Sequence, residues 1–105
     1  PLVVVMGHAS CGAVKAAMSV VSENARFPGA IGQMIEPIIP AVLEARDAEG
    51  DPVESAVRQN VRRQVRFLRE ASDPLMLDPQ AAGTLKVVGA YYDFIEGRVD
   101  FFDRS

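Results

Sequence analysis

The chain has 105 residues, with 11 basic and 14 acidic side chains and a formal net charge of −3. That is enough chain for one modest domain, residues 1–105, and too little for two. Apolar residues make up 49% and charged residues 24%, which excludes disorder and fibrous repeats and calls for a packed core. The acidic balance opposes gathering nucleic acid or anionic lipid, so neither is an expected partner. A single cysteine cannot form an internal disulfide, and no basic start leads into an apolar stretch, so the default compartment is the cytoplasm. The most apolar long segment, 30–45, is broken by Gln33, Glu36, Pro37, Pro40 and Glu44, whereas a span needs roughly 20 mostly apolar residues. No membrane association is expected.

Leu2-Val3-Val4-Val5-Met6, ending in Gly7, reads as a strand buried on both faces of a parallel sheet. A chain that opens on such a strand, without methionine, reads as a piece of something longer. After the link Gly7-His8-Ala9-Ser10, the spacing of Val14, Ala17, Met18 and Val21 predicts a helix starting at Cys11 with Ser10 as its N-cap. Residues 24–32 read as a loop. Ile35, Ile38, Ile39, Val42 and Leu43 then predict an amphipathic helix, kept short and irregular by Pro37 and Pro40.

Asp47 to Pro52 is a charged turn, and Pro52 opens a third helix. Its residues Val53, Val57, Val61, Val65 and Leu68 give the strongest periodic signal in the chain. Arg58, Arg62, Arg63, Arg66 and Arg69 interleave with them and read as the solvated side of that helix. Asp73-Pro74 and Asp78-Pro79 punctuate a short irregular or helical stretch closed by Gly83. Leu85 to Tyr92 and Arg98 to Phe102 read as two strands joined at Glu96-Gly97 into an antiparallel hairpin. Tyr91, Tyr92, Phe94, Phe101 and Phe102 fit cross-strand packing there. Asp100 and Asp103 read as an edge charge and a turn residue. The expected fold is α/β: a mainly parallel sheet with helical crossovers and an antiparallel C-terminal edge hairpin. Three strands leave one flank of that sheet unpaired.

Chemical interest centres on Gly7-His8-Ala9-Ser10-Cys11-Gly12. An imidazole and a thiol stand three residues apart at the C-terminal end of a parallel strand, where open α/β sheets build their crevices. The following helix start favours a thiolate at Cys11, and both side chains are potential zinc ligands. The spacing alone leaves open a blander reading, in which Cys11 is a small core residue and His8 its hydrogen-bonded neighbour.

The segment from Val3 to Val14, VVVMGHASCGAV, closely resembles the second zinc-binding segment of the β-class carbonic anhydrases. The stretch Leu85 to Asp93, followed by Gly97-Arg98-Val99, is similar to that family's penultimate strand, tyrosine-aspartate turn and final edge strand. The intervening helices have matching order, so the resemblance spans essentially the whole chain as an incomplete fold of that family. It implies that His8 and Cys11 are two of three protein ligands to zinc. The third, a cysteine in an upstream C-x-D-x-R motif whose aspartate and arginine form a gating pair, has no counterpart in this sequence. Ala9 stands where many relatives carry an acidic or polar residue.

The implied chemistry is reversible hydration of carbon dioxide to bicarbonate, by hydroxide that zinc makes available when it lowers the pKa of bound water from about 16 to near 7. With one ligand and the gating pair absent, little turnover is expected from these 105 residues alone. The resemblance also implies a homodimer or higher homo-oligomer. Two other readings remain: a non-catalytic interaction or dimerisation module on the same scaffold, and a reactive or redox-sensing thiol at Cys11.

Overall fold

The computed structural model describes residues 1–104. The order is β1 (Leu2–His8), α1 (Gly12–Glu23), α2 (Gly29–Ile35), a 3₁₀ turn (Glu36–Ile38), α3 (Ile39–Ala45), α4 (Pro52–Arg69), α5 (Pro74–Ala81), β2 (Lys86–Asp93) and β3 (Arg98–Asp103). The three strands form one sheet in the order β1-β2-β3, with β1 and β2 parallel and β2 and β3 antiparallel. The parallel pair runs in register from Leu2 opposite Lys86 to His8 opposite Tyr92. The hairpin carries an irregularity between Gly89 and Tyr91.

Helix α4 positions this sheet. Asp51 caps it by accepting a hydrogen bond from the Val53 N–H at 3.0 Å, Pro52 occupies its first turn, and Arg66 and Arg69 lie in its last. Val57, Val61 and Val65 are at most 3% exposed and lie against the strands, each contributing about 1.5–3 kcal/mol by burial. The two strands meet this valine ridge with glycine. A Cβ at Gly89 would lie 2.8 Å from Val61 Cγ1, and one at Gly7 2.9 Å from Val61 Cγ2. Glycine therefore lets the helix sit closer to the sheet than any side chain would permit.

Three local readings are corrected. Strand β1 is not buried on both faces: its pattern alternates, and Leu2, Val4 and Met6 are 57%, 36% and 50% exposed. Helix α4 covers the face of Val3, Val5 and Gly7, and nothing among the described residues covers the other. The loop expected at 24–32 ends earlier, because Gly29 to Ile35 is helical. Pro37 and Pro40 then withhold two backbone donors, so the chain passes through a 3₁₀ turn and resumes as α3. Finally, α1 begins at Gly12 and Cys11, not Ser10, is its N-cap. Ser10 adopts φ +56°, the left-handed conformation that turns the chain from strand to helix and that an N-cap residue does not take.

Candidate metal centre

His8 ends β1, and the backbone there is clamped to the next strand by the Ala9 N–H, which donates to the Tyr92 carbonyl at 2.9 Å. Ala9 is buried in the core with Val14 and Tyr91. Its small side chain thus ties the turn down from inside, while His8 on one side of it is exposed and Cys11 on the other is half-buried. Both remain within reach of solvent.

The His8 ring lies 3.0 Å from the Ala9 carbonyl through Nδ1. A carbonyl only accepts, so Nδ1 is the donor in this bond, an arrangement that in a neutral imidazole leaves the lone pair on Nε2. That is the tautomer required of a histidine that ligates through Nε2, with the backbone supplying the outer support. Cys11 spends no side-chain hydrogen bond on capping α1, and the first turn of that helix holds no acidic residue. At Gly12 a Cβ would meet nothing within 4 Å, so the approach beside Cys11 is open.

The donor set fits part of a zinc site: one imidazole nitrogen and one sulfur at a single sharp turn. Among the described residues no group of three or more His, Cys, Asp or Glu side chains is arranged to hold a metal ion. Beside this turn, the Asp93 carboxylate accepts from the Ile95 and Glu96 N–H groups at 3.0 and 3.3 Å and shapes the hairpin. Tyr92 packs against Phe94 with ring centroids 6.4 Å apart.

The arginines of α4 are more than a solvated face. Arg58 donates to Glu54 at 3.0 Å and to Asp100 at 2.9 Å, with its guanidinium 4.5 Å from the Tyr91 ring centroid and 5.0 Å from that of Phe102. Burial pulls Arg58 toward neutrality, but its bonds to Asp100 and Glu54 outweigh this and hold its pKa above the ordinary value. Arg69 bonds Asp103 at 3.0 Å and the Val87 carbonyl at 2.8 Å. Asp100 and Asp103 are therefore the β3 ends of two bridges to α4. The separations of 42 and 34 residues put these pairs beyond any local pattern; the one available signal was the run of arginines facing a hairpin with two aspartates.

Residues 1–99 match the model of the carbonic anhydrase family. The chain belongs to the β-carbonic anhydrase family. It is 37% identical over 100 residues to a carbonic anhydrase of Mycolicibacterium smegmatis, covering 95% of this chain and 48% of that protein. It is 33% identical over 98 residues to carbonic anhydrase 2 of Mycobacterium tuberculosis, covering 93% and 47%. Among solved structures, the β-carbonic anhydrase CcaA superposes with a TM-score of 0.74 at 26% identity, over 99% of this chain and 51% of that one. A tetrameric β-carbonic anhydrase of Sordaria macrospora shares the fold at TM-score 0.80 and 23% identity, over 96% and 51%. The chain spans about half the length of the curated relatives it matches. No helix among the described residues is long and apolar enough to cross a membrane.

Proposed function

We propose that this chain carries part of a zinc centre for the reversible hydration of carbon dioxide to bicarbonate, with His8 and Cys11 as two of its protein ligands. The observation that carries the reading is the placement of His8 Nδ1 3.0 Å from the Ala9 carbonyl, which leaves Nε2 uncommitted, beside an uncommitted thiol at a helix start. Zinc, when bound, supplies the Lewis acidity that makes water acidic near neutral pH. The chain's own contribution is positioning. The bond from Ala9 to the Tyr92 carbonyl anchors the turn to β2, and the left-handed Ser10 brings Cys11 round to the start of α1.

Two ligands leave a tetrahedral ion to be completed from elsewhere. The 105 residues alone are therefore expected to bind zinc weakly and to show little hydratase activity. A homo-oligomer in the cytoplasm is the setting we assign, supported by the tetrameric relative and the lone free cysteine. The test is zinc affinity by equilibrium titration together with stopped-flow carbon dioxide hydration, on the native chain and on His8→Ala and Cys11→Ser. Measurable zinc affinity in the native chain that falls in both variants supports the reading. Affinity unchanged in both contradicts it, and robust hydration abolished by His8→Ala contradicts the need for a further ligand. A non-catalytic module is the second reading, favoured by the lack of a third ligating side chain among the described residues.

A further inference from the structure

The five arginines of α4 are not equivalent. Arg58 holds Glu54 and Asp100, Arg63 holds Glu44 at 2.9 Å, and Arg69 holds Asp103. Arg62 and Arg66 have no carboxylate partner among the described residues. The contacts of Arg62 are to neutral groups: its guanidinium lies 5.0 Å from the Phe102 ring centroid and donates to the Gln59 carboxamide oxygen at 3.4 Å. Arg66 is exposed and makes no side-chain hydrogen bond among those residues. Two like charges four residues apart on a helix repel each other, so the fold keeps a small electrostatic cost here that an anion between them would offset.

Both guanidiniums open onto one cleft of about 340 Å³, lined by Arg62, Arg66, Arg69, Glu70 and Asp103. Its wall is fixed, because Arg69 bonds Asp103 at 3.0 Å and the Val87 carbonyl at 3.2 and 2.8 Å. That pair cancels its own charge. Glu70 is then left against Arg62 and Arg66, and it sits at the C-cap of α4 without bridging to either. The cleft therefore carries an excess of one positive charge on a chain whose net charge is −3. It lies beside Val87 and Asp103, toward the start of β2, whereas His8 stands opposite Tyr92 near the end of that strand. It is separate from the candidate metal centre.

We propose that this cleft binds the phosphate group of a small phosphorylated molecule, held between Arg62 and Arg66. Each guanidinium presents a planar fork of N–H donors that matches a pair of oxygens on one anion. A carboxylate is served by one such fork, whereas two forks on one cleft suit an anion with three or more outer oxygens. The stacking of Arg62 on Phe102 holds its fork in place before the ligand arrives, which lowers the ordering cost of binding. The cleft is larger than a bare phosphate needs and leaves room for the organic group that carries it. The acidic balance of the whole chain, with Glu70 at the rim, disfavours an extended polyanion such as a nucleic acid or a charged bilayer.

The test titrates the metal-free 105-residue chain with inorganic phosphate and with glycerol phosphate, each against chloride at matched ionic strength, and follows the arginine Nε–H resonances by NMR. The expected result is a saturable shift at Arg62 and Arg66 with both phosphates and none with chloride. Arg66→Gln and Arg62→Gln should each weaken binding by about fivefold or more. Arg66→Gln removes no contact within the chain, so its melting temperature should be unchanged even if Arg62→Gln loses the stacking on Phe102. Glu70→Gln should tighten binding several-fold by removing the opposing carboxylate. Arg63→Gln, which deletes the same charge from a side chain already bonded to Glu44, should leave it unchanged. Equal weakening by Arg63→Gln would reduce the effect to net charge and overturn the proposal. So would the absence of a saturable shift, or capture by vesicles of phosphatidylcholine and phosphatidylglycerol without any response to the two small phosphates. Neither zinc nor turnover enters these readouts, so their outcome is independent of the hydratase reading.

Discussion

Gly7 of β1 lies against Val61 of α4 so closely that a Cβ at position 7 would fall 2.9 Å from Val61 Cγ2. This contact, together with the still closer one to Val57, sets how near the helix comes to the strand that ends in His8. Gly7→Ala should cost about 1–3 kcal/mol by overpacking, because Val57 and Val61 are both buried and have little room to yield. Gly12→Ala, at the first turn of α1 and facing open space, should be neutral or stabilise the fold by about 0.5–1 kcal/mol. Thermal denaturation of the two variants checks the contrast, and equal losses would show that glycine at position 7 is not a packing requirement.

Arg58 ties α4 to the hairpin through Glu54, Asp100 and two aromatic rings, with its side chain 22% exposed. Arg58→Ala should destabilise the chain by about 1–2 kcal/mol. Arg58→Lys should recover little of that, since an ammonium cannot serve two carboxylates while lying flat between rings. Chemical denaturation of the two variants settles the order, and full rescue by lysine would reduce the contact to simple charge.

Burial, and then the nearby Glu54 carboxylate, raise the pKa of Tyr91 above that of a free phenol. A pKa raised in the folded state favours the protonated form there, so the stabilisation is complete below the unfolded phenol's value and is lost as pH rises through it toward the folded one. Stability should therefore fall above about pH 10, and less steeply in Tyr91→Phe. Denaturant midpoints across that range provide the measurement; identical alkaline slopes would mean Tyr91 titrates as if exposed.

The elements readable in the sequence were those whose signals are local. The valines of α4 repeat at helical spacing, Pro52 marks the start of that helix, Asp73-Pro74 punctuates the start of α5, and Gly97 with φ +67° marks the hairpin turn. The parallel pairing of β1 with β2 followed from strands separated by helices. What was not legible depended on tertiary context. Burial on both sides of β1 follows from composition only where something covers both faces, and Leu2, Val4 and Met6 have no cover here. The left-handed turn at Ser10 was hidden because serine is a good cap in the more common geometry. The bridges from Arg58 to Asp100 and from Arg69 to Asp103 join residues far apart in the chain. At the candidate centre, His8 and Cys11 were visible as a spaced pair, whereas the bond from His8 Nδ1 to the Ala9 carbonyl appears only once Ala9 is placed.

Cobalt(II) titration of the chain, followed by thiolate-to-metal charge-transfer absorption, tests the assignment of His8 and Cys11 most directly. The expected result is a charge-transfer band in the native chain that is absent in Cys11→Ser and needs several-fold more metal in His8→Ala. A native chain that develops no such band, or a His8→Ala chain that titrates identically, would contradict the assignment.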